Sequence, residues 1–227
     1  MARIPGRPRF VAGQILAGWR WLSYATNGLT SRPRHCKGRS CVFGPFSGGE
    51  FLVIDATRLY LTPYAPADLL ALIEGPAQFA ASFGLPAADG LRDFFVSGDV
   101  SPAWLVHLRA ASAADPWQFG YAVVDRAART VIGNVGFKGP PDAGGVVEIA
   151  YAIVPSFQQR GYATEAVQAA LPWVNSDQRV SLLRAHTLPT NRASSRVLEK
   201  CGFRFLDEVI DPDDGLVARW ERSKETA

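Results

Sequence analysis

The stretch "VPSFQQRGYATEA", residues 154–166, closes an apolar run, turns through Pro155 and sets Gly161 immediately ahead of a helical pattern. A helix N-terminus leaves several backbone N–H groups unpaired and concentrates about half a positive charge there, so the chemistry open to such a junction is anion binding. Gly161 carries no side chain to hold a phosphate off the backbone, and the small Ala163 prevents crowding where the first turn would meet it. The turn is shaped for pyrophosphate; taken alone, a glycine at a strand-to-helix junction also reads as a plain turn residue. Other phosphate motifs fail: there is no GxxxxGK[ST], and "GNVGFKG" has neither the spacing nor the following helix of a dinucleotide fingerprint.

Three more positions could do chemistry. Glu148 lies within the apolar run "VVEIAYAIV", where burial would raise its pKa and suit it to proton transfer; the other reading is a structural Glu on a half-exposed face. Asn191 can cap a helix "NRASSRVLEKC", whose Ala193, Val197, Leu198 and Cys201 form an apolar stripe ending at Gly202. His186 stands alone on an apolar run and reads as a satisfied core residue, and Cys201 as an inert thiol facing the core. No metal site is expected, since "HCKGRSC" offers a His and two Cys without the fourth ligand that tetrahedral zinc needs.

The elements that position these residues follow from periodicity. "TRLYLTPYAPADLLALIEG" reads as a short strand, a Pro-marked turn and a helix, and a second helical region is expected between Pro76 and Ala113. Three strand-like runs follow, "WQFGYAVVD", "TVIGNVGF" and "VVEIAYAIV", separated by turn signals. In the helix after Gly161, Ala163, Ala166, Val167, Ala170, Leu171 and Val174 make one apolar stripe that packs on a sheet, and Pro172 should kink or stop it. A strand "RVSLLRAHT", the helix from Asn191, and a hairpin of "FRFLDEVI" and "LVARWER" around "DPDDG" complete the order β-α-α-β-β-β-α-β-α-β-β, an α+β (mixed α/β) pattern.

Composition bounds the rest. A chain of 227 residues, 48% of them hydrophobic, can bury one sizeable core. No apolar run approaches the roughly 18 residues of a membrane span, and three cysteines, an odd number, argue against a disulfide framework, so a soluble cytoplasmic protein is expected. Residues 1–50 carry eight Lys or Arg against Glu50 alone, and the remainder sixteen against twenty acids. Residues 1–55 therefore read as a basic extension, disordered or preceding the true start, with an RNA- or ribosome-binding arm as the functional alternative. Residues 56–222 read as the folded domain and 223–227 as a tail. Asp93, Asp99 and the acids of "DPDDG" read as solvated surface.

"QQRGYA" fits the Q/R-x-x-G-x-G/A signature through Gln158, Gly161 and Ala163, and it stands between "VVEIAYAIV" and "AHTLPTNRASSRVLEKCGFRF". In this order the segments resemble the GNAT superfamily of N-acetyltransferases, and within it the branch of ribosomal-protein N-terminal acetyltransferases. The resemblance implies a mixed central sheet flanked by helices and splayed where acetyl-CoA binds, between "VVEIAYAIV" and "RVSLLRAHT". It assigns the amides of Gln159, Arg160, Gly161, Tyr162, Ala163 and Thr164 to the pyrophosphate, with Gln158 opening the loop. Main chain at Ile153 and Val154 would pair with pantetheine, as an added strand pairs with a free edge. The same amides could polarise the acetyl carbonyl, an oxyanion contribution of about 3 kcal/mol per donor.

The resemblance further implies transfer of an acetyl group to a primary amine, of a protein N-terminus or a small molecule. An α-amine costs about 1 kcal/mol to deprotonate at pH 7 and a lysine about 4.6, so weak assistance from Glu148 suits an α-amine. Asn191 would contact the cofactor and Ser194 its sulfur or pantetheine. Many acetyltransferases place a proton-donating tyrosine seven residues after that Asn; here Leu198 stands there, and water or Ser194 would serve the departing thiolate. The alternative is a non-catalytic CoA-binding or protein- or RNA-interaction module with the same fold, and either protein could be a monomer or a homodimer.

Overall fold

A computed structural model describes residues 53–97, 100–212 and 214–224. The basic stretch 1–50, with Cys36 and Cys41, and most of the tail lie outside the described residues. Strand β1 (Ile54–Asp55) precedes β2 (Leu59–Pro63), whose alternating burial sends Leu59, Leu61 and Pro63 to one face. Helix α1 (Pro66–Glu74) starts with Pro66 in its first turn, and Asp68 Oδ2 accepts the Ala65 N–H at 3.2 Å. The expected second helical region resolves into three helices: α2 (Pro76–Phe83), α3 (Asp93–Val96) and α4 (Pro102–Ala110).

"WQFGYAVVD" is not strand throughout. Asp115 accepts the Trp117 N–H and Pro116 fixes the first turn, so residues Pro116–Phe119 form a short helix, α5. Strand β3 (Tyr121–Asp125) begins only after Gly120, whose φ of 69° breaks the helix and whose close approach to the Val135 carbonyl leaves no room for a side chain. Strands β4 (Thr130–Phe137) and β5 (Val146–Ile153) follow. A 3-10 turn over Pro155–Phe157 leads to helix α6 (Tyr162–Ser176), then come β6 (Leu182–Thr187), α7 (Arg192–Lys200), β7 (Arg204–Asp211) and β8 (Gly215–Ser223). Pro172 does not stop α6, which continues to Ser176 with Trp173 and Val174 buried.

The eight strands form one mixed sheet in the order β1-β2-β3-β4-β5-β6-β8-β7. All pairings are antiparallel except β5 with β6. Residues of β5 from Ile149 to Ile153 pair with β4, but the parallel ladder to β6 covers only Val146–Glu148 opposite Leu182–Arg184. Beyond that point β6 continues against β8 as far as Thr187 while β5 continues against β4, so the sheet parts between them. This is the splayed, helix-flanked architecture that the resemblance implied.

Helix α6 buries Ala166, Val167, Ala170, Leu171 and Val174. Its Trp173 meets Trp117, Tyr121 and Phe137 with ring centroids 4.5, 5.4 and 5.6 Å away, which anchors α6 to the face of β3, β4 and β5 that carries Tyr121, Phe137, Ile149 and Tyr151. Among the described residues no helix is long and apolar enough to cross a membrane.

Candidate active site in the parted sheet

The junction ahead of α6 has the backbone its sequence suggests. Gln159 and Gly161 both take left-handed conformations, at φ 59° and 82°. Among the described residues the amides of residues 159–164 have no hydrogen-bond acceptor; the first helical bond is Glu165 N–H to Gly161 O, 3.1 Å. Gln158 straps the loop to the strand, its Nε2 donating to Ile153 O at 2.7 Å. The loop is also held from the turn between β1 and β2. Arg58 donates from Nε to Glu165 Oε2 at 2.7 Å and from Nη1 to Arg160 O at 2.8 Å, and its guanidinium lies 4.6 Å from the centroid of the Tyr162 ring. Tyr162 Oη donates to Asp125 Oδ2 at 2.5 Å. Ala163 and Thr164 are half-buried, and the Arg160 guanidinium stacks over Phe157.

The parted edge of β5 corrects one expectation. Val154 N–H donates to Ile132 O at 2.9 Å and Lys138 N–H to Glu148 O at 2.9 Å. The even-numbered residues of this stretch therefore turn their backbone groups to β4, and alternation turns those of Ile149, Tyr151 and Ile153 to the gap. Val154 cannot offer its N–H to pantetheine. Tyr151 and Ile153 can, with the Ile153 carbonyl already receiving Gln158.

Glu148 stands where the two strands separate, on the face opposite α6. Its carboxylate is 17% exposed, with Lys138 Nζ at 2.7 Å and His186 Nδ1 at 3.1 Å from Oε1. The histidine contact is close but lacks hydrogen-bond geometry, since Nδ1 has no partner by direction. The pKa expectation is overturned: burial does push the carboxyl up, but His186 and the Lys138 ammonium together outweigh it and hold Glu148 below its ordinary value. Glu148 is thus a fixed carboxylate at neutral pH. Further along this face Arg184 pairs with Glu221 at 2.6 Å and Arg219 with Asp207 at 2.7 Å, so a polar row runs from β5 across β6, β8 and β7.

On the other side of the gap, Asn191 caps α7 as expected: its Oδ1 accepts the Ser194 N–H at 3.1 Å. Ser194 is 5% exposed, and its Oγ lies 2.9 Å from Tyr151 Oη, which joins α7 to β5. Leu198 is fully buried, and the Cys201 thiol is pushed up to about 11 by burial. Lys138, Tyr151 and Arg58 are the site residues the sequence reading missed; only strand alternation along "VVEIAYAIV" carried a signal, for Tyr151. Among the described residues no group of three or more His, Cys, Asp or Glu could hold a metal ion.

Comparison with known proteins agrees with this geometry. Residues 58–204 match the family model described as an acetyltransferase (GNAT) domain. The uncharacterised N-acetyltransferase YjdG of Bacillus subtilis is 32% identical over 111 residues, 49% of this chain and 64% of its own length, so the matched part of the chain spans under two thirds of that relative. Among solved structures, the ribosomal-protein-S5-alanine acetyltransferase of Vibrio fischeri superposes with a TM-score of 0.54 at 16% identity, over 77% of this chain and 97% of that one. RimL, a ribosomal L7/L12 α-N-protein acetyltransferase in complex with coenzyme A, gives 0.52 at 17% identity, over 76% and 98%. At such identities the structures show a common fold, while the family model covers well over half the sequence. The chain belongs to the GNAT acetyltransferase family.

Proposed function

We propose that this protein transfers the acetyl group of acetyl-CoA to a primary amine, with a protein N-terminal α-amine or a small-molecule amine as acceptor. The observation that carries the reading is the pairing of an unsatisfied amide nest at residues 159–164 with a parted strand edge that leads away from it. The nest and the N-terminus of α6 suit a diphosphate, and the N–H groups of Tyr151 and Ile153 with the Tyr151 carbonyl suit the amides of pantetheine. Both fit coenzyme A on the chemistry of the donors alone. Acetyl-CoA supplies an activated thioester carbonyl. An amide of the β5 edge polarises its oxygen, and Asn191 and Ser194 border the gap from α7.

Glu148 acts as a carboxylate that attracts and orients the incoming ammonium and passes its proton to water, rather than as a strong base. Its paired, ionised state makes it a weak proton acceptor. That restraint suits an α-amine, which needs only about 1 kcal/mol of help at pH 7. The test is thiol release from acetyl-CoA across a panel holding peptides with free N-termini, polyamines and aminoglycosides. Turnover that falls in Glu148→Gln while coenzyme A affinity is kept supports the enzyme; binding without turnover of any acceptor supports a non-catalytic module.

A further inference from the structure

We propose that Tyr151 is a positioning residue for this transfer: its phenol holds the Ser194 hydroxyl oxygen so that the serine's own proton is directed at the sulfur released from coenzyme A. The inference rests on the acetyltransferase reading above. A phenol has one proton, and two acceptors lie within reach of Tyr151 Oη, the Ser194 carbonyl at 3.2 Å and Ser194 Oγ at 2.9 Å. Oγ is the nearer. When the phenol donates there, the Ser194 proton has no other acceptor among the described residues and is free for a third partner.

The position of the pair identifies that partner. Tyr151 belongs to the length of β5 that has left β6, and Ser194 to the first turn of α7, so their contact spans the two walls of the gap. Both are nearly excluded from water, at 4% and 5% exposure, so solvent does not compete for the hydroxyl. Burial raises the Tyr151 hydroxyl well above its ordinary value and keeps it a proton donor through the neutral range. One turn beyond Ser194, Leu198 offers no donor. The phenol absent from α7 is supplied from β5, one step removed from the sulfur.

The step balances without a proton leaving either hydroxyl. The amine nitrogen bonds to the acyl carbon, the C–S bond breaks, and its electron pair stays on sulfur. Ser194 O–H donates a hydrogen bond to that thiolate, and the surplus proton on nitrogen goes to water beside Glu148. Tyr151 and Ser194 end as they began.

The test reads the thiol rather than turnover. Coenzyme A bound to the full-length protein is titrated by the ultraviolet absorbance of its thiolate, in wild type, Tyr151→Phe, Ser194→Ala and the double variant, with thermal midpoints confirming that each is folded. A hydrogen bond to a charged sulfur should lower the bound thiol's pKa in wild type by about one unit relative to either single variant. The double variant should match the singles, because both removals break one arrangement. A thiol that titrates identically in wild type and Tyr151→Phe overturns the proposal, as do effects that add in the double variant. Should wild type not bind coenzyme A at all, the acetyltransferase reading itself fails, a result distinct from binding with an unshifted thiol.

Discussion

Glu148 shows how much a single residue's role depends on partners distant in sequence. Its place in an apolar strand was legible, but Lys138 arrives from just past the end of β4 and His186 from β6, and only the register of three strands puts them at one carboxylate. The consequence can be measured. A carboxyl whose folded pKa lies below its unfolded value stabilises the fold above the unfolded value of 4.5, and that contribution is lost as pH falls through the folded pKa. Glu148→Gln should therefore cost roughly 1–3 kcal/mol at pH 7, leaving Lys138 without its counter-charge, and the deficit should shrink as pH falls below 4.5, as denaturant titrations at several pH values would show. A deficit that grows with acidity would mean that the carboxyl is raised instead. Under the proposed function the same variant should lower kcat by about 5- to 10-fold, the size of the ~1 kcal/mol of help an α-amine needs plus some lost orientation, with coenzyme A affinity unchanged. Val154 gives the same lesson about parity: the strand itself was legible, but which alternate amides face the gap is decided by the β4 pairing.

Among the elements, the junction from β5 to α6 was the most legible, because its conformation is written in Gly161. At φ 82° a side chain is strained, and a Cβ there would stand 3.3 Å from an Arg58 guanidinium nitrogen. Gly161→Val should cost about 1–2 kcal/mol of stability and weaken coenzyme A binding at least tenfold by calorimetry, with far-UV circular dichroism unchanged. Gly133 has a different constraint. Its backbone is ordinary, but an added Cβ would lie 2.2 Å from the Ala152 carbonyl oxygen, so Gly133→Ala should force β4 and β5 apart and lower the thermal midpoint more than Gly161→Val does. Asn191→Ala, removing the α7 cap, should cost about 1 kcal/mol in chemical denaturation. Several elements differ from expectation, the first of them β1, in which Ile54–Asp55, read as part of the extension, pair with β2. "WQF" is apolar enough for a strand, yet Asp115 and Pro116 build a helical turn whose capping bond outweighs the pattern. Pro172 was expected to kink or stop α6, but Trp173 and Val174 bury enough surface to carry the helix past it.

At the scale of the whole molecule, a sheet of eight strands is held across its middle by a three-residue parallel ladder, and the cleft beside that ladder is the proposed ligand site. A ligand seated between the two parts should brace them. Coenzyme A at about 100 times its Kd should add about 2.7 kcal/mol, a rise in thermal midpoint of roughly 5–10 °C for a domain of this size. From β2 onward the order of the strands was legible because each carries its own periodicity, whereas β1, α5 and the division of the second helical region were not; the parting of the sheet was implied by family resemblance alone, since no local pattern marks where two parallel strands cease to pair. The central claim is that the amide nest around Gly161 grips the diphosphate of coenzyme A. Isothermal titration calorimetry of the full chain with coenzyme A tests it most directly: saturable one-to-one binding that Gly161→Val weakens at least tenfold is the predicted result, and a folded protein that gives no binding heat with coenzyme A or acetyl-CoA at several temperatures would contradict it.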